Sequence, residues 1–198
     1  MGGGWTCRLF VRDTAKRGAG MVVILLNGPG SVGKTALARA LQDLAARPVL
    51  HVEMDRVLAM LPERFQEDPQ LVAYHPGPQG VTVEVGPRGA ALLATMRRWV
   101  ADLAAAGFDL VVDDVWLAGE PADYAGLLAP FRVLRVGLQA PLAVLEAREA
   151  ARGDRLAGLA RAQGARVHHG LRYDLMLDMG ALTPEAAARQ IAVRAGLA

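Results

Sequence analysis

Gly28-Pro29-Gly30-Ser31-Val32-Gly33-Lys34-Thr35 decides the fold. Before it lies Val22–Leu26, a β-branched and aliphatic run that reads as a buried strand; after it, Thr35–Ala46 carries Leu37, Leu41 and Leu44 on one helical stripe. Strand, glycine-rich loop and helix in that order satisfy the pattern G-x-x-x-x-G-K-[ST] in letters and in context. Polyphosphate carries several negative charges, which consecutive backbone N–H groups and a helix N-terminus can meet only if the loop curls tightly, and glycines permit the curl. Lys34 brings a compact, mobile cation to the β- and γ-phosphate oxygens, and the Thr35 hydroxyl is a ligand for Mg²⁺. A planar guanidinium would not be equivalent at position 34. Gly28 through Thr35 are therefore the expected nucleotide loop.

The rest of the chain agrees with one domain built around that loop. It has 198 residues, 53% hydrophobic and 21% charged, the proportions of an ordinary globular domain. Met21–Leu26, the longest purely apolar run, is six residues, against about 20 for a membrane-spanning helix. Aromatics are only 5%, so aliphatic and alanine side chains must build the core, which suits helices packed on a buried parallel sheet. Of the 22 basic residues only Lys16 and Lys34 are lysine. Residues 1–20 hold four basic side chains against Asp13, and the remainder of the chain is close to neutral, with no basic patch interleaved with aromatics. Nucleic acid is thus not an expected partner. Cys7 alone cannot form an internal disulfide, and Met1–Gly20 lacks the apolar stretch of a secretory signal, which points to a reducing cytoplasm. Residues 1–20 read as a disordered extension, and Met1-Gly-Gly-Gly-Trp-Thr6 matches a myristoylation pattern only in its letters.

Along the chain, strands alternate with helices. Strands are expected at Val49–Val52, Leu110–Val112, Val133–Leu138 and Tyr173–Asp178, and helices at 56–61, 88–105, 121–128, 141–151 and 154–164. Thr183-Pro184-Glu185 supplies an N-cap, a first-turn proline and an early acid for the last helix. The alternation predicts a three-layer α/β/α domain over residues 21–198, with a five-stranded parallel sheet and ligands at the carboxyl ends of its strands. Residues 63–87, rich in proline and glycine, read as the only long irregular stretch, and such a loop is more often functional than idle.

Leu110-Val111-Val112-Asp113-Asp114 is the companion of the phosphate loop, an apolar strand that places a carboxylate near the metal. Alternation along the strand separates the two acids, leaving Asp113 favoured for the metal shell and Asp114 open to facing the acceptor. A guanine-reading Asn-Lys-x-Asp is excluded because no lysine follows position 34, and no transporter signature loop occurs. A small kinase remains: a P-loop kinase fold with a helical arginine lid. It needs a base, cations over the moving phosphoryl group and a cover against water. Asp55, after the second strand, is the candidate base, with a helix N-cap as its alternative reading. Arg148, Arg152 and Arg155 recur at helical spacing and form the candidate lid if the helix tolerates Gly153. A nucleotide-dependent regulatory module, or a metabolic kinase of a nucleoside or other small alcohol, stays open as an alternative.

Arg148-Glu-Ala-Ala-Arg-Gly-Asp-Arg-Leu-Ala-Gly158, taken with the phosphate loop, Met54-Asp55 and Met60-Leu-Pro62, Asp113-Asp-Val-Trp116 and Val167-His-His-Gly-Leu-Arg-Tyr-Asp174, resembles the chloramphenicol phosphotransferase family from about Met21 onward. The resemblance implies an ATP- and Mg²⁺-dependent O-phosphotransferase that modifies the primary hydroxyl of chloramphenicol and so inactivates it. Asp55 falls at the family's general base, Lys34 and Thr35 in its nucleotide loop, and Arg152 and Arg155 in its lid. The segment Glu63–Val85, with Phe65, Tyr74 and His75, has its own composition, so the acceptor is less fixed than the transfer. Trp116 is a candidate pocket wall or a core residue, and His168 and His169 are candidates to approach the nucleotide or structural residues. The expected partner is a small hydroxylated molecule, and a homo-oligomer is compatible with the sequence.

Overall fold

All six residues of β1 (Val22–Asn27) are buried, and they feed two separate cores. Val22, Ile24 and Leu26 pack with α1 (Lys34–Leu44) and with residues of the last helix, while Val23 and Leu25 join a second cluster on the opposite face. A strand buried on both faces has nowhere to be but the middle of a sheet between two helical layers. The computed structural model describes residues 20–65, 68–77, 80–117, 119–152, 157–164 and 166–198.

The remaining elements follow in chain order as β2 (Val49–Glu53), α2 (Met54–Leu58), β3 (Val72–Gly77), β4 (Gly80–Val85), α3 (Pro87–Ala105), β5 (Asp109–Asp114), α4 (Ala122–Leu127), β6 (Arg132–Gln139), α5 (Leu142–Arg152), α6 (Leu159–Gly164), β7 (Leu175–Asp178) and α7 (Pro184–Ala195). Five strands form the expected parallel sheet in the order β2-β5-β1-β6-β7. Thr183 Oγ1 accepts from the Ala186 N–H, the expected cap on α7. The register sets the carboxyl ends of three strands level, pairing Leu26 with Asp113, Asn27 with Asp114, and Glu53 with Asp113.

The structure corrects the sequence reading in two places and decides against an alternative in a third. Residues 63–87 are not one irregular stretch, because β3 and β4 within them form an antiparallel hairpin. Its signal is the alternation Val81-Thr82-Val83-Glu84-Val85, hidden behind prolines that an exposed hairpin tolerates. Asp113 and Asp114 lie within β5 rather than beyond its end. Asp55 is not an N-cap, because α2 begins at Met54 with Glu53 before it. The extension 1–19 and the lid residues Gly153 and Arg155 lie outside the described residues.

Candidate active site

Two left-handed residues shape the phosphate loop. Ser31 has φ 62° and Gly33 φ 104°, and α1 starts directly afterwards. Such a conformation is cheap for glycine and strained for serine, and it turns successive N–H groups toward one concavity. Ser31 Oγ is buried there with no hydrogen-bond partner among the described residues, a polar atom that a bound anion would satisfy. Lys34 Nζ donates to the carbonyls of Gly28 (2.9 Å) and Pro29 (3.3 Å) and lies 3.8 Å from Asp113 Oδ1. The ammonium is thus folded back over its own loop.

Thr35 carries the second constellation. Its Oγ1 is 2.9 Å from Asp113 Oδ2 and 3.2 Å from Glu53 Oε1. One hydroxyl has one proton and cannot donate to both carboxylates at once. Two acids around one hydroxyl oxygen, beside an anion-binding loop, fit a divalent cation. No group of three or more His, Cys, Asp or Glu side chains that could hold a metal converges among the described residues, so a cation here needs phosphate oxygens and water as further ligands. Burial pushes the Asp113 carboxyl upward, with the Lys34 ammonium and the Thr35 hydroxyl pulling the other way. Glu53 escaped the sequence reading; an acid at the end of a strand, two residues before Asp55, was the available signal.

A cleft of about 520 Å³ runs across the carboxyl edge of the sheet and brings Lys34, Thr35, Asp55, Asp113, Arg148 and Arg152 together. Because β1 is central, the cleft has two sides. Toward β6 and β7 lie Arg148, Arg152, Leu159, Gln163 and Met179. Toward β5 and β2 lie Asp55 and a wall formed by the hairpin, where Val72 pairs with Val85 and Tyr74 with Val83, so all four share the face that lines the cleft. His75 faces elsewhere and meets Glu84 at 3.2 Å, and Phe65 is exposed under Arg64.

Helices α5 and α6 are cross-linked to the phosphate loop and to each other. Arg148 donates to the carbonyls of Val32 (3.3 Å) and Met179 (2.9 Å). Glu149, buried, accepts from the N–H groups of Gly158 (2.7 Å) and Ala160 (2.8 Å), and Gln163 Oε1 accepts from Gly30 N–H at 2.6 Å. Neither Glu149 nor Gln163 was singled out from sequence, since both act on backbone groups far from them in the chain.

Asp114 faces away from the cleft. It accepts from the Trp116 indole N–H (3.0 Å) and lies 3.4 Å from Tyr124 Oη and 3.9 Å from Arg97 Nε. Trp116 is accordingly a core residue, 2% exposed, and its backbone N–H donates to Asn27 Oδ1. His168 is structural too, held between Tyr173 Oη (2.9 Å) and the Leu138 carbonyl (3.1 Å), and His169 is exposed.

The chloramphenicol phosphotransferase-like protein model matches residues 20–195. The chain belongs to that family. A Mycobacterium tuberculosis (strain H37Rv) protein designated provisionally as an O-phosphotransferase is 31% identical over 179 residues, covering 85% of this chain and 80% of that protein. Among solved structures, the Deinococcus radiodurans tunicamycin resistance protein is 20% identical with a TM-score of 0.61, covering 90% of this chain and 97% of the other. A sugar kinase from Janibacter sp. is 18% identical, TM-score 0.61, over 90% and 96%. Acinetobacter baumannii shikimate kinase is 17% identical, TM-score 0.54, over 86% and 90%. This chloramphenicol phosphotransferase-like chain therefore has the P-loop kinase fold and is a small-molecule phosphotransferase with a hydroxyl acceptor. None of its described helices is long and apolar enough to cross a membrane.

Proposed function

We propose that the protein transfers the γ-phosphoryl group of ATP, with Mg²⁺, to a hydroxyl of a neutral small molecule with a broad apolar face, chloramphenicol or a similar antibiotic being the first candidate, and so confers resistance. One observation carries the choice of acceptor. The side of the cleft beside Asp55 is walled by Met54, Leu58, Tyr74, Val83, Leu93 and Leu117, and among the described residues no lysine or arginine stands on that side. A sugar acid or a sulfated nucleotide would need a guanidinium fork there, and a bare polyol would need many hydrogen-bonding partners. An apolar wall suits an aromatic or aliphatic body carrying one reactive alcohol.

In the transfer, the acceptor hydroxyl oxygen bonds to the γ-phosphorus as the bond to the β–γ bridging oxygen breaks, ADP leaves, and the hydroxyl proton passes to the Asp55 carboxylate. The loop N–H groups, Lys34 and the lid arginines Arg148, Arg152 and Arg155 neutralise charge on the moving group, and the lid keeps water from competing as acceptor. Thr35 and Asp113 would hold Mg²⁺, which would supply charge neutralisation to the triphosphate.

The test is ADP release in the presence of chloramphenicol, other apolar alcohols, nucleosides, sugars and sugar acids, with mass spectrometry for the phosphate adduct. Acceptor-dependent release and an adduct with chloramphenicol or another apolar alcohol are expected. Turnover only with sugar acids would overturn the acceptor class, and release indifferent to every acceptor would favour a nucleotide-dependent module instead.

A further inference from the structure

Helix α6 is fastened on three sides. Glu149 of α5, 6% exposed, engages the N–H groups of Gly158 and Ala160 with its two carboxylate oxygens; strand β4 of the acceptor hairpin packs against the helix; and Gln163 reaches the phosphate loop. The third contact is the most exacting. Gln163 is 8% exposed, lines the cleft, and sits so close to Gly30 that a Cβ there would lie 3.2 Å from Oε1. A side chain at position 30 would therefore press on a residue 133 positions away, and Gln163 would have to give by a few tenths of an ångström to admit it.

A carboxamide carries an acceptor and two donors on one carbon. The Gly30 N–H is a donor, so only the oxygen can face it. The –NH₂ end is then held at the edge of the phosphate loop, in the wall of the cleft that Gln163 forms. A glutamate could make the Gly30 contact equally well, and with charge assistance. It would put a second anion beside the phosphates.

We propose that Gln163 is the lid's contact with the triphosphate: Oε1 docks α6 on Gly30, and Nε2 donates to the terminal phosphoryl group, so that a closed lid and a bound γ-phosphate stabilise each other. This rests on the nucleotide-site reading above. It adds an uncharged donor to the arginines over the transferring group, and because α6 also touches β4, it links occupation of the phosphate loop to the cover over the acceptor.

Gln163→Glu separates the two ends of the side chain, and Gln163→Met removes both. Calorimetry with a non-hydrolysable ATP analogue and with ADP reads binding without any acceptor. The unaltered protein is expected to prefer the analogue over ADP, and both variants to lose at least about tenfold of that preference, the scale of one charge-assisted hydrogen bond. Melting temperature should be unchanged in Gln163→Glu, and in turnover its kcat should fall more than its KM for the acceptor. Full preference in Gln163→Glu with loss only in Gln163→Met would leave the oxygen as a mere anchor and overturn the donor role. Unchanged preference in both would overturn the proposal altogether. Failure of the unaltered protein to bind either nucleotide would overturn the nucleotide-site reading, and the proposal with it.

Discussion

The two sides of the cleft are built by different physics. On the side of β6 and β7 the parts are tied by hydrogen bonds to backbone: Lys34 to Gly28 and Pro29, Arg148 to Val32 and Met179, Gln163 to Gly30, and Glu149 to Gly158 and Ala160. On the side of β5 and β2 the wall is a set of apolar faces, presented by a hairpin whose register aligns Val72 with Val85 and Tyr74 with Val83. Directional bonds to a fixed loop tolerate few alternatives. Apolar surface is non-directional and accepts volume-conserving exchange at small cost. The same fold can therefore keep one phosphate donor while its acceptor changes.

That contrast is broken most severely by Lys34→Ala. The variant should lose about 10³-fold in kcat/KM with every acceptor alike, because removing one preorganised charge at the transferring group costs on that scale. A loss confined to some acceptors, seen in parallel ADP-release assays, would show that the two sides are not separable. Asp55→Asn comes next, with a fall in kcat of about 10²-fold or more and ATP affinity nearly unchanged. Turnover close to that of the parent would remove Asp55 from proton transfer and leave the acid a member of the wall.

A sharper separation comes from the hairpin. Tyr74→Ala and Val83→Ala each remove apolar area from the cleft and should raise the acceptor KM by roughly 10-fold, more for the tyrosine, at about 1.5–3 kcal/mol for a fully buried side chain. Neither should alter the KM for ATP. If both constants rise together, the hairpin acts through α6 on the nucleotide rather than on the acceptor alone, which its packing against that helix makes a real outcome.

The same division decides what could be read from the sequence. The phosphate loop was legible because its chemistry is performed by backbone groups, so the residues that allow the backbone to curl are nearly prescribed. The five strands were legible as apolar runs bounded by turn residues. The hairpin was not, because Pro76 and Gly77 mask the alternation of Val81, Val83 and Val85, and only pairing with β3 reveals it. Glu53, Glu149 and Gln163 were missed for a different reason: each acts on a partner between 9 and 133 positions away, and no local pattern marks such a residue. Asp113 and Asp114 stand between these cases. Alternation foretold that they face opposite sides, but only the placement of Thr35 on one side and of Trp116, Tyr124 and Arg97 on the other says which is which.

Asp114 gives the smallest effect on activity and the most particular effect on stability. Asp114→Asn should leave the KM for ATP unchanged while costing about 1–3 kcal/mol of folding stability, the penalty for disturbing a buried, hydrogen-bonded carboxylate beside a guanidinium. Its pH dependence identifies the cause. Burial raises the Asp114 carboxyl above the usual carboxylate range, with Arg97 and the Trp116 indole N–H opposing the shift. A group whose folded pKa exceeds its unfolded one binds protons more tightly when folded, so its contribution is fully present below the unfolded pKa and is lost as pH rises through the folded value. The parent therefore pays an increasing cost for holding an anion there as pH rises from about 4, which is near the unfolded carboxylate pKa, and the asparagine variant does not. The stability gap between the two, measured by denaturant unfolding at successive pH values, should be widest at acid pH and narrow toward neutrality. A gap that instead widens as pH rises from acid toward neutrality would mean that Arg97 holds Asp114 ionised below the unfolded pKa, and that this side of β5 is organised by an ion pair rather than by burial of a neutral carboxyl.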